Sequence, residues 1–288
     1  MAAVRPIIVP IDGSEASEVG LRVAVPLAQA TGMPIVLIWV YEGLQGLDRG
    51  LPQEDAEAAD RAEIARRREA LAEVQQRVLE PAGVEHELLV AMGSAPEGIL
   101  QAAAERDARV IVMATHSRGA LPRWYMGSVA MEVANTSTVP TILFHADADR
   151  DPPTIYRRIA TPIELIEQTH VAIEAAALTA NELGAELVLL TLSESVEEAA
   201  DAHRWNSVLS SRYPDLTIQH ETRAEPLIDA LRELALEVDL LVMPMRDQEG
   251  WRRFFSGEEW DNVVREAGVP VMLVRAREGA ADAKPEAD

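Results

Sequence analysis

Residues 110–113 read Val-Ile-Val-Met and residues 240–243 read Leu-Leu-Val-Met, 130 positions further on. The turn formers around them keep that offset, since Pro96, Gly127 and Pro140 recur as Pro226, Gly257 and Pro270. Nearer the amino end the offset is 152, taking Pro10-Ile11-Asp12 to Pro162-Ile163-Glu164. The second copy is therefore 22 residues shorter, and the shortfall falls where the first copy carries Glu42–Leu79. Apolar and turn positions kept in register over such a distance imply a duplicated folding unit. Whatever fold one copy adopts, the chain adopts twice.

Within each copy, short apolar runs alternate with longer amphipathic stretches. Arg5–Ile11, Pro34–Val40, His86–Ala91, Val110–Ala114 and Thr141–His145 read as strands. Such nearly continuous Val/Ile/Leu runs suit a parallel sheet covered on both faces. Between them, Ser14 caps a helix through Ala30 that Pro26 should bend. Gln53–Leu79, Pro96–Arg106 and Ser128–Ser137 are further helices. An acidic, Pro-containing linker spans 146–156, and the pattern then restarts. Strands are expected at Arg158–Ile163, Glu186–Leu192, Leu216–Thr222, Leu240–Met245 and Val271–Val274. Helices are expected at Ile166–Leu183, Val196–Arg212, Pro226–Leu236 and Glu258–Ala267. Alternating strand and helix gives an α/β chain of two doubly wound, Rossmann-like parallel-sheet domains in tandem, at 1–148 and 155–277. Residues 278–288 form an acidic tail expected to be disordered.

Composition removes several function classes. Net charge is −22, from 48 acids against 26 bases, which disfavours nucleic acid and anionic membranes as partners. There is no cysteine, so disulfides, thiolate catalysis and Cys-ligated metal are excluded. Lys284 in the tail is the single lysine, which leaves none for a Schiff base or a P-loop inside the fold. No apolar run reaches the ~18 residues of a membrane span. The opening residues lack a signal-peptide layout, so a cytoplasmic protein is expected. The six histidines form no metal-ligand spacing.

Two stretches of the first copy carry candidate chemistry. In an open parallel sheet, ligands bind beyond the carboxyl ends of the strands, where strand order reverses. Asp12 stands at such an end, in Pro10-Ile11-Asp12-Gly13-Ser14. Its carboxylate either accepts hydrogen bonds from ribose hydroxyls or stabilises its own turn. The second stretch runs from Met113-Ala114-Thr115-His116-Ser117-Arg118 to Met126-Gly127-Ser128-Val129. Gly127 and Ser128 open a helix whose free N–H groups and positive dipole end suit a phosphate, and Arg118 adds charge. A plain strand–loop–helix with a Ser N-cap reads the same way.

Taken together, IIVPIDGSEAS and VIVMATHSRGALPRWYMGSVAMEVANTSTVPTILFH resemble the universal stress protein family. The family's nucleotide motif is Gly, two residues, Gly, nine residues, then Gly-Ser or Gly-Thr. Here Ala114, Ser117 and Gly127-Ser128 keep that spacing, with two glycines replaced by small residues. The resemblance implies an adenine-nucleotide α-hydrolase-like fold that binds ATP or AMP, with or without Mg. By matching positions, Pro10, Ile11 and Asp12 flank the adenosine, Val40 contacts adenine, and Met113 and Ala114 line the floor. His116, Ser117, Arg118, Gly127, Ser128 and Val129 surround the phosphates. Val40 reads equally as a core valine, and His116 as a loop residue without a ligand. The resemblance also implies that the last strands, Val139–His145 and Val269–Val274, pair within the chain as a pseudo-dimer or between chains as a homodimer.

The second copy replaces the motif. Position matching puts Pro244, Asp247, Gly257 and Glu258 where the first has Ala114, Ser117, Gly127 and Ser128, and Glu164 at the place of Asp12. Carboxylates beside a triphosphate repel it by about 1–4 kcal/mol per unit-charge pair at 4 Å. A nucleotide is therefore expected in the first copy only, with the second structural. A divalent cation at Asp247 and Glu258 is the alternative use of those acids. A regulatory binding protein with at most weak ATP hydrolysis leads. A nucleotide-free scaffold is the competing reading, and no nucleophile–base pair supports an adenylating enzyme.

Overall fold

The computed structural model describes residues 4–43, 53–115, 128–146, 148, 150–163, 169–191, 196–223, 227–245 and 268–275. The first half runs β1 (Ile7–Pro10), α1 (Glu15–Thr31), β2 (Ile35–Tyr41) and α2 (Gln53–Val74). A π-helical turn at Gln75–Leu79 joins α2 to α3 (Glu80–Ala82). Then come β3 (His86–Met92), α4 (Ala95–Glu105), β4 (Val110–Thr115), α5 (Ser128–Thr136) and β5 (Thr141–His145). The second half runs β6 (Arg158–Pro162), α6 (Thr169–Leu183), β7 (Glu186–Thr191), α7 (Val196–Arg212) and β8 (Ile218–Thr222). It ends in α8 (Leu227–Ala235), β9 (Leu240–Met245) and β10 (Val271–Arg275). The helix expected at Glu258–Ala267 and the tail lie outside the described residues.

The ten strands of the described residues form one sheet in the order β3-β2-β1-β4-β5-β10-β9-β6-β7-β8. Each half is parallel throughout, and the halves meet at the antiparallel pair β5–β10, where Leu143 faces Val271 and Thr141 faces Leu273. The last strands thus pair within the chain, as expected from the resemblance. One antiparallel seam in an otherwise parallel sheet reverses strand direction. The carboxyl ends of the two halves therefore open on opposite edges.

Strand pleating sends alternate residues to opposite faces. Ile7, Val9, Leu37 and Val112 join one core with Leu21, Ala24 and Leu71, and this core continues into Ile173, Leu187 and Leu240 of the second half. Ile8, Ile38, Ile111 and Met113 join the other, with Ala103 and Val133 and then Leu231 and Leu241. Helix α1 starts at Ser14, whose hydroxyl accepts from Ser17 N, and ends at Gly32 in the left-handed region. It runs through Pro26 as a single helix. The long helix expected over Gln53–Leu79 instead changes to π spacing after Val74.

Several side chains tie the halves together. Tyr156, buried in the linker, donates to the carbonyl of Val23 at 3.1 Å. Arg109 reaches Glu182 on α6 at 3.0 Å, and Arg150 donates to the carbonyl of Ala235 at 3.1 Å. Among the described residues, no helix is long and apolar enough to cross a membrane.

Candidate functional site

In the first half, β1 leads to β2 on one side while β4 lies on the other, so strand order reverses between β1 and β4. The carboxyl ends there form the crevice where α/β sheets take ligands. Strand register brings Pro10 level with Ile38, and Ala114 level with Phe144 on β5. Pro10, Ile11, Asp12, Val40, Met113 and Ala114 therefore share one sheet edge.

The Asp12 turn is a closed ring of hydrogen bonds. Asp12 Oδ1 accepts from Ser14 N at 3.0 Å and from Ser14 Oγ at 2.6 Å. Ser14 Oγ in turn accepts from Ser17 N at 3.1 Å, and Ser17 Oγ donates to the Ser14 carbonyl at 2.8 Å. Asp12 N closes the ring on Ser17 Oγ at 3.2 Å. Gly13 sits inside it at φ +81°, a conformation that favours glycine. The carboxylate is thus exposed at the sheet edge and already shaping its own turn, so both uses weighed for Asp12 have a geometric basis.

Other positions divide. Ile11 is buried in the core and donates its N–H to the Ile38 carbonyl at 2.9 Å. Val40 packs on α4: a Cβ added to Gly98 would lie 2.7 Å from Val40 Cγ1. This contact accounts for Val40 as a packing residue. Met113 is buried on the α4–α5 face and Ala114 is half-buried. Ser128 is exposed at the first residue of α5, and Val129 is half-buried against the same core. His116, Ser117, Arg118 and Gly127 lie outside the described residues, as do Glu164, Asp247, Gly257 and Glu258.

Sequence reasoning passed over two features of this edge. Thr115 ends β4 with 1% of its surface exposed, and its Oγ1 has no hydrogen-bond partner among the described residues. Thr161 Oγ1 on β6 of the second half is likewise buried and without a partner among the described residues, so this feature does not separate the two halves. Trp39 lies over Gly13, with Arg67 of α2 stacked near both Trp39 and Tyr41. Two aromatics, Trp39 and Tyr41, at the end of an otherwise aliphatic strand were the visible signal.

In the second half, register puts Pro162 beside Leu190, as Pro10 stands beside Ile38. Ala114 is matched by Pro244 on β9, which is buried. Charged side chains cluster in this half, where Arg158 pairs with Glu186 and Glu221, and Arg223 with Glu221, Glu233 and Glu237. The hydrogen bond to Glu221, against some loss from burial, raises the Arg223 pKa above its ordinary value. No group of three or more acidic or histidine side chains among the described residues is arranged to hold a metal.

The sequence model of the universal stress protein family matches residues 3–145 and 198–275. A universal stress protein of Mycobacterium tuberculosis is 30% identical over 150 residues, 50% of this chain and 45% of the relative. The chain thus spans about half the length of the mycobacterial relatives it matches. One from Thermus aquaticus is 29% identical over 140 residues, 48% of this chain and 97% of the relative. Among solved structures, a universal stress protein from Archaeoglobus fulgidus superposes with a TM-score of 0.73 at 20% identity, covering 94% of this chain and 98% of that one.

Proposed function

The chain belongs to the universal stress protein family, and on that footing we propose that it binds one adenine nucleotide, ATP or AMP, at the carboxyl edge of its first half. The role is regulatory: the nucleotide biases shape or partner affinity through contacts that differ between conformations. The second half is structural, the two units being residues 1–148 and 155–277 of a cytoplasmic protein.

The observation that carries this reading is the contrast between two matched sheet edges. The first keeps the motif spacing Ala114, Ser117, Gly127-Ser128 beside the exposed Asp12 turn. The second has Pro244, Asp247 and Glu258 at those places. In such a site Asp12 would accept from ribose hydroxyls, and the start of α5 at Ser128 would donate N–H groups to phosphate. A bound Mg ion would neutralise phosphate charge.

Titration calorimetry with ATP and with AMP tests this. One site per chain is expected, abolished by Gly127→Asp or by Ser128→Glu. Two equal sites would reject the asymmetry. A second reading, a scaffold without nucleotide, is favoured by the internal engagement of Asp12 Oδ1 with Ser14. Dialysed protein that takes up no nucleotide at millimolar ATP would establish it.

A further inference from the structure

The turn that holds Asp12 is built against an aromatic–cation stack. Trp39 and Tyr41, two apart on β2, lie on the same face of the sheet. A Cβ added to Gly13 would stand 2.4 Å from Trp39 Cη2, so the indole rests directly on the turn backbone. The guanidinium carbon of Arg67 lies 5.3 Å from the Trp39 ring centre and 4.6 Å from that of Tyr41. Such cation–π contacts hold a ring in place. Tyr41, 7% exposed, also donates from Oη to the carbonyl of Asp60 at 3.3 Å, which fixes α2 against β2. Arg67 is paired with Glu63 one turn earlier, while its buried Nε has no hydrogen-bond partner among the described residues. The rings and Glu63 are thus what seats the guanidinium.

Among the described residues, only the first half has this device. Strand register places Thr191 in the second half where the first has Trp39, and its hydroxyl is spent on Thr222 Oγ1 at 2.9 Å and the Glu221 carbonyl at 3.2 Å. The residue matching Gly13 in sequence is Leu165. The stack therefore accompanies the copy with the intact motif spacing.

We propose that Trp39, seated by Arg67, is the positioning residue of the Asp12 turn. It confines Gly13 to its left-handed conformation and so holds the carboxylate ready for the ligand. Glycine unrestrained leaves that conformation readily. The ligand would then have to order the turn as it binds, which weakens affinity. The ligand consequence rests on the proposed nucleotide site; the mechanical link from α2 to the turn does not.

The test uses the full chain as wild type, Arg67→Met, Arg67→Lys and Trp39→Leu. The Arg67 side chain is partly exposed, so Arg67→Met carries the test if Trp39→Leu does not fold. Hydrogen–deuterium exchange by mass spectrometry follows the peptide covering 11–18, with a β6–β7 peptide as internal control. Arg67→Met should speed exchange at 11–18 by about tenfold, leave the control unchanged and weaken ATP binding by about fivefold at unchanged stoichiometry. Arg67→Lys, which keeps a cation over the rings, should recover most of both. Exchange at 11–18 identical to wild type in Arg67→Met overturns the proposal. Faster exchange at 11–18 in Arg67→Met, with no ATP binding by wild type, supports the positioning role and removes the nucleotide reading instead.

Discussion

Single residues at the sheet edge do different work from what their positions in the chain suggest. Val40 meets Gly98 so closely that a methyl there would fall 2.7 and 2.9 Å from its two Cγ atoms. Gly98→Ala should therefore cost about 1–3 kcal/mol through overpacking, read as a lower denaturant midpoint at unchanged slope. Tyr156 is buried at the end of the linker, and burial pushes its phenol well above the ordinary range, with Asp239 adding to the shift. A raised pKa means that the folded state holds the proton more tightly. This contribution to stability is complete below about pH 10, the ordinary tyrosine value, and is lost as pH rises beyond it. Tyr156→Phe should cost about 1 kcal/mol at neutral pH by removing the bond to Val23. It should also flatten the alkaline end of the stability profile.

At the scale of elements, charge links helix to strand. Arg106, which follows α4, forms ion-paired hydrogen bonds to Glu87 on β3, the nearer at 2.6 Å. That hydrogen bond lowers the Glu87 pKa, against a rise from desolvation. Because the folded pKa is lower, the pair's contribution is full above about pH 4.5, the unfolded value, and disappears as pH falls through the lower folded one. The melting-temperature gap between wild type and Glu87→Gln should be constant from neutral pH to about 4.5 and narrow below it. The gap should be small, as both partners have exposed surface. The cap of α1 was legible because Ser14 is a hydroxyl placed just before an apolar periodicity. The end of α2 was not, since the sequence Gln75-Gln76-Arg77-Val78-Leu79 has the propensities of an ordinary helix. Helix α2 packs against β2 and β3, contacts that the order of residues does not display.

For the whole molecule, the seam decides cooperativity. The β5–β10 pair joins two parallel sheets, and one core runs beneath it from Ile7 to Leu240. The chain should unfold as a unit, with coincident denaturant transitions reported by probes in each half. Ile142 is fully buried at the seam, paired with Met272. Ile142→Ala should lower both transitions together by about 2–5 kcal/mol. Separate shifts would mean that the halves fold independently.

Periodicity, turn residues and a repeated register were enough to determine the α/β class, the duplication and the order of the described strands in each half. These follow from local propensity and from which residues must be buried, and both are written in the order of residues. Asp12 and the Gly-Ser step were visible for the same reason: each stands at a strand-to-helix junction. Trp39 over Gly13, Arg67 on two rings, Val40 against Gly98 and the Arg109–Glu182 link were decided only by tertiary structure. Each joins residues from separate elements, and contact at such range depends on how elements are placed in space, a distance that sequence patterning does not encode.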